Sequence, residues 1–115
     1  MKLYLFLLLT LTYSCSSLKV TDYKNADPKL NLKDFFKGKI KAKGIVQDRS
    51  RKVIKRFDVD IIATSPQKNI IKLDESFVYS DKSTSKRVWT LKEVAPNHYE
   101  ASAGDVIGKA KGQTA

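Results

Sequence analysis

Residues 53–63 read VIKRFDVDIIA, and most of this stretch alternates between apolar and charged side chains. Successive side chains of a β-strand point to opposite faces, so a period of two is typical of a strand with one buried face. The predicted inward side chains are Phe57, Val59, Ile61 and Ala63, and the predicted outward ones are Arg56, Asp58 and Asp60. We therefore predict a half-buried strand here.

Other stretches show a similar pattern between polar turns. They are KIKAKGIV at 39–46, IIKLDESFVY at 70–79, KRVWTLKEV at 86–94 and YEASAGDVIGKAKG at 99–112. The turns between them contain DRSR, SPQKN, SDKSTS and APNH. No long helix is indicated. About six short strands at regular spacing predict an all-β fold, an antiparallel meander.

A short helical turn is predicted before the first strand, in NLKDFFKG at 31–38. Asn31 is of a residue type that caps helix N-termini, and Gly38 is of the type that follows helix ends. The apolar side chains of this segment, Leu32, Phe35 and Phe36, are expected to form a lid on one end of the β core.

The chain begins with a signal-peptide pattern, MKLYLFLLLTLTYS at 1–14. One positive residue, Lys2, precedes an apolar run that ends at polar residues. A membrane-spanning helix needs about 20 apolar residues, so this run is too short to be a permanent anchor. We therefore predict that residues 1–14 are removed after export.

The single cysteine, Cys15, follows this leader directly. Residues 12–14 resemble the lipobox of bacterial lipoprotein signal peptides, in which the sulfur of the next cysteine is diacylated. Acyl chains contribute about 0.8 kcal/mol per buried methylene, so two or three of them make a stable anchor. Polar residues 15–30 would form a flexible tether. Ser16, directly after the cysteine, resembles the residue found in lipoproteins that are sorted to the outer membrane of Gram-negative bacteria. The protein would then be anchored in that membrane and face the periplasm.

Positive charge dominates the sequence, with 22 Lys and Arg against 12 Asp and Glu. Such a surplus favours anionic partners. Lys39, Lys41 and Lys43 share the outer face of the first predicted strand. They either protect a solvated sheet edge from pairing with other chains or contact an anionic surface. Nucleic acid is not predicted as a partner, because no aromatic-basic binding signature is present.

Two carboxylates in the predicted strands are candidate site residues. Glu75 shares its face with apolar residues, and a buried carboxylate needs a partner or a proton. Arg87, on the next strand, is expected diagonally opposite. The pair is either a structural ion pair or a pair that orients a ligand. Asp105 follows Gly104 at a predicted bulge and is expected to accept a hydrogen bond from a turn or a neighbouring strand.

No catalytic or metal-binding constellation is predicted. His98 is the sole histidine and lies in a turn, where one imidazole without further ligands makes no zinc site. The GKAKG segment at 108–112 lacks the spacing of a phosphate-binding loop. We predict no cofactor and no enzymatic activity. The sequence does not identify a protein partner.

Four segments in this order resemble the DUF3833 family of proteobacterial lipoproteins: GIVQDRSRKVIKRFDVDI, LDESFVYSD, RVWTL and DVIGKAKG. The resemblance implies a lipocalin-like antiparallel barrel and supplies no established activity. Members of the family resembling this chain continue with further strands. We therefore expect residues 31–115 to be an incomplete barrel, a half-barrel, with a complete smaller sheet as the alternative.

The inner face then allows two interpretations. Its apolar residues, Phe57, Val59, Phe77 and Trp89, are either plain core or the binding surface for a fatty acid or lipid. We expect a non-enzymatic module that binds or shields an apolar ligand. The alternative is a structural or interaction lipoprotein of the envelope that contacts anionic lipid or a protein through its basic face. An enzyme acting on lipid through Glu75 or Asp105 is the third hypothesis.

Overall fold

The computed structural model describes residues 17–115. The predicted signal peptide and the predicted acylation site at Cys15 lie outside these residues. A 3-10 turn spans Val20–Tyr23 within the predicted tether, and one helical turn, α1, spans Leu32–Phe35. The strands are β1 (Gly38–Gln47), β2 (Val53–Gln67), β3 (Ile70–Tyr79), β4 (Thr84–Ala95), β5 (His98–Ala103) and β6 (Ala110–Gln113).

The six strands form a single antiparallel sheet in the order β1-β2-β3-β4-β5-β6. Each strand pairs with the next one along the chain, because short polar turns can join only antiparallel neighbours. The sheet curls into a half-barrel. The predicted all-β antiparallel meander is therefore confirmed, in its half-barrel form.

The core lies on one face of the sheet, on strands β2 and β3. Its buried residues are Val59, Ile61 and Ala63 of β2 with Ile71 and Leu73 of β3, and no polar residue is buried among the described ones. Full burial of an aliphatic side chain contributes about 1.5–3 kcal/mol, so this small cluster stabilises the fold. We call the face that carries it the concave face and the opposite one the convex face.

One end of the concave face is covered by α1. The Asn31 side chain caps this turn by accepting hydrogen bonds from the backbone N–H groups of Lys33 and Asp34, as predicted. Leu32 and Phe36 pack against the core, whereas Phe35 stays 61% exposed. Adjacent helical residues point about 100° apart, so Phe35 and Phe36 cannot both face the sheet. The lid therefore uses two of the three predicted side chains.

The edge strand β1 is less buried than its sequence suggests. Ile40 and Gly44 are half-buried, but Ala42 and Val46, on the same predicted face, are exposed. A residue on an edge strand has a neighbouring strand on one side only, so less of its surface is shielded from water than for a residue of β2 or β3. The apolar alternation predicts the strand without revealing its edge position.

Candidate functional site

The concave face is the candidate functional site, because it is apolar and incompletely covered. Around the buried core lie half-buried apolar side chains from three strands: Phe57, Phe77, Trp89 and Leu91. Among the described residues outside the sheet, only Leu32 and Phe36 pack on the core. The sheet thus presents an apolar concave surface that is open over much of its area.

Three aromatic rings form a cluster on this face near the β3–β4 turn. The Phe57 and Phe77 ring centroids are 5.5 Å apart, and Phe77 and Tyr79 stack at 6.1 Å. These spacings are those of favourable aromatic pairs. The ammonium of Lys55 lies 4.6 Å from the Tyr79 ring centroid, and the Tyr79 hydroxyl is hydrogen-bonded to that of Ser85 at 3.2 Å. The cluster therefore has a polar outer boundary.

A row of ionisable side chains crosses the same face. Glu75 and Arg87 are direct cross-strand partners on β3 and β4, so the predicted diagonal placement is wrong. The Arg87 guanidinium instead forms its ion pair with Asp105 in the β5–β6 turn: Nη2 lies 2.7 Å from Oδ2, and Nε lies 3.1 Å from both carboxylate oxygens. Asp105 lies in this turn and not at the predicted bulge, and its carboxylate accepts the hydrogen bonds from Arg87 of β4.

The two carboxylates therefore occupy different electrostatic environments. Burial raises the pKa of Glu75 above its ordinary value, and the charge of Arg87 only partly opposes this. Hydrogen bonds from Arg87 lower the pKa of Asp105. Among the described residues, Glu75 takes part in none of the ion pairs. Glu75 is thus the carboxylate that gains a proton more readily.

The lysines of β1 lie on the convex face, where two of them have acidic neighbours on β2. The Lys43 ammonium is 2.9 Å from Asp58, and that of Lys41 is 3.8 Å from Asp60. Lys39 faces Ile62 across the strands. Because two of the three charges are compensated, this arrangement favours the interpretation of a solvated sheet edge over that of an anionic contact.

A second concavity lies at the end of the sheet next to α1. This cavity of about 620 Å³ is lined by four lysines, Lys24, Lys29, Lys33 and Lys68, and by parts of the β2–β3 and β4–β5 turns. Sequence reasoning missed it, because these lysines come from two segments far apart in the chain. The only signal in the sequence is the overall excess of positive charge.

The sole histidine, His98, lies in the β4–β5 turn region at the start of β5. The exposed His98 forms a hydrogen bond through Nδ1 with the carbonyl of Pro96, 2.9 Å away. Within residues 17–115, no group of three His, Cys, Asp or Glu side chains is arranged to hold a metal ion. The described helices include none with the length and apolar character needed to span a membrane.

Comparisons with known proteins identify a family and leave the activity open. No curated protein and no solved structure matches the chain. A family model described as a protein of unknown function, DUF3833, matches residues 9–115, nearly the whole sequence. The chain therefore belongs to the DUF3833 family.

Proposed function

We propose that this protein is a non-enzymatic, lipid-anchored envelope protein that binds or shields a fatty acyl chain on its concave face. The anchor would be the acylated sulfur of Cys15, with the protein held at the outer membrane of a Gram-negative bacterium and facing the periplasm. The ligand would be a fatty acid or the acyl chain of a lipid.

One observation carries this proposal: large apolar side chains remain half-buried on a concave surface. Phe57, Phe77 and Trp89 are partly exposed to solvent, although each packs against the core. Covering apolar surface stabilises a complex by about 25 cal/mol per Å², so an acyl chain lying along these residues would gain free energy. Ligand pockets typically combine such apolar walls with a few polar groups.

The ionisable row is compatible with an apolar occupant. Asp105 compensates the charge of Arg87, and the raised pKa of Glu75 lowers the cost of neutralising that carboxylate when a ligand excludes water. An acyl chain could therefore cross this row without burying an uncompensated guanidinium. Glu75 and Arg87 would limit how deeply the acyl chain enters the concave face, and they would not act as catalytic groups.

Binding is testable through Trp89, the only tryptophan of the chain. We expect dodecanoic acid, titrated into the full-length protein, to shift the Trp89 emission in a saturable way. Ala42→Glu adds a charge at an exposed position of the concave face, and Ile62→Glu adds the same charge on the convex face. The Ala42 variant should lose binding and the Ile62 variant should retain it.

Two results would refute acyl-chain binding. One is the absence of saturable change in Trp89 emission together with no lipid in native mass spectra of protein purified from membranes. The other is equal loss of binding in the Ala42 and Ile62 variants, because a concave-face site requires that they differ.

The anchor needs its own experiment. Labelled palmitate should enter the protein in cells, and Cys15→Ser should abolish the label. Lack of incorporation into the unaltered protein would reject acylation at Cys15 while leaving the ligand hypothesis intact.

A further inference from the structure

We propose that the lysine-lined cavity beside α1 binds a phosphate group. We call this cavity, surrounded by Lys24, Lys29, Lys33 and Lys68, the lysine cavity. The site is separate from the aromatic part of the concave face and uses other side chains.

Two of the four ammonium groups are held in place by backbone carbonyl groups. The Lys29 ammonium donates a hydrogen bond to the carbonyl oxygen of Lys24, and the Lys33 ammonium donates one to that of Lys68. An ammonium group has three donor hydrogens, so each keeps two for a ligand. The Lys33 bond connects the α1 segment to the β2–β3 turn, and the Lys29 bond closes the segment between Lys24 and Lys29. All four lysines line the same cavity.

The charges of the lysine cavity are not compensated by the protein. None of its four lysines forms an ion pair with a described carboxylate. Glu93 is the one acidic side chain of the lining. The lining therefore combines four lysines with one acidic side chain. An anion would relieve the repulsion among the lysines, which favours anionic ligands over neutral ones.

The shape and lining favour a phosphate group attached to a small organic part. A volume of about 620 Å³ exceeds what a bare anion needs and falls within the range of small-molecule sites. Leu30 and Ile71 give the cavity an apolar wall, and Tyr99, the cross-strand partner of Glu93, also lines it. Lysine is a common phosphate ligand, acting as a point charge. A glycerol phosphate unit supplies the negative charge and fits within this volume.

Such a unit has two sources, a soluble phosphate ester and a phospholipid headgroup. Lys24 follows Cys15 by nine residues, a span of at most about 30 Å in extended chain. If Cys15 is acylated, as proposed above, the lysine cavity stays within reach of lipid headgroups. A phospholipid headgroup is favoured as the source only if that proposed anchor exists. The preference of the cavity for a phosphate group depends on its lining alone.

The experiment uses isothermal titration of the full-length protein in nonionic-detergent micelles. One arm adds glycerol 3-phosphate. The other adds micelles doped with phosphatidylglycerol, with undoped micelles as the blank. The test variant is Lys24→Gln with Lys68→Gln, because these two residues accept the hydrogen bonds through their backbone carbonyls, which the substitutions keep. The matched control is Lys72→Gln with Lys86→Gln, which removes equal charge from exposed positions elsewhere.

We expect the test variant to lose about tenfold or more in affinity and the control to stay within about twofold of the unaltered protein. Binding in the first arm identifies a soluble ester as a ligand, and binding only in the second identifies a lipid headgroup. Both support the phosphate site. No binding in either arm, or equal losses in the two variants, would overturn it. Dodecanoic acid binding by the test variant should be unchanged, which separates this result from the test of the concave face.

Discussion

The phenyl ring of Phe57 lies against the backbone of Gly44, its direct partner across β1 and β2. A Cβ atom at position 44 would come within 2.6 Å of the ring atom Cε2 and 2.7 Å of Cε1, well inside van der Waals contact. The glycine is needed here because another residue approaches it closely. The aromatic ring in turn covers the backbone of β1 at Gly44, which has no side chain.

Gly44→Ala should therefore destabilise the protein, because the Phe57 ring has to move away from β1. We expect a loss of about 1–3 kcal/mol in the free energy of unfolding, measured by urea denaturation. Gly112→Ala is the matched control on the other edge strand, since a Cβ atom there meets nothing within 4 Å. A smaller loss for Gly44→Ala than for Gly112→Ala would show that the ring does not occupy this position.

Leu73→Ala should lower the free energy of unfolding by about 2–5 kcal/mol, because it removes buried methyl groups and leaves a cavity beside the β2 core residues. Leu73 is 5% exposed, whereas Ile62, on the convex face, is 53% exposed. Ile62→Ala should change stability by no more than about 0.5 kcal/mol. Denaturant unfolding of both variants gives the comparison. A reversed order would mean that the convex face holds the core.

Glu75→Gln should raise the melting temperature at pH 7. Because burial raises the folded-state pKa of Glu75, the folded protein favours the protonated carboxyl group, and its ionisation at neutral pH costs stability. The advantage of the variant should shrink as the pH falls through this pKa. Thermal unfolding followed by circular dichroism from pH 7 to pH 4 tests this. Asp74→Asn, one residue away on the convex face, is the control for the loss of one negative charge.

Asp105→Asn should have the opposite effect and lower the melting temperature at pH 7. Hydrogen bonds from Arg87 lower the folded-state pKa of Asp105, so its carboxylate stabilises the fold above its unfolded-state pKa. That contribution disappears as the pH falls through the folded-state pKa, and the two proteins should then melt alike. In a double-mutant cycle with Arg87→Gln, additive effects of the two substitutions would argue against the ion pair.

Much of the fold follows from local patterns that the sequence displays directly. The alternation around Val59 predicts β2, because a period of two matches the geometry of a strand and no other regular structure. Asn31 predicts the start of α1, because its side chain bonds to N–H groups two and three residues ahead. The short turns then require antiparallel neighbours, which yields the meander. Each inference involves residues that are close in the chain or in adjacent strands.

What the sequence by itself determined, then, is the strand content, the meander and the apolar character of one face. Only the tertiary structure decided that Arg87 pairs with Asp105 rather than Glu75, that two β1 lysines have acidic partners, and that Lys24 and Lys68 meet at one cavity. Strand register and sheet curvature set these distances, and both depend on the lengths of several turns together. Periodicity determines which face a side chain occupies, but ion pairing depends on separations of a few ångströms between residues distant in the chain.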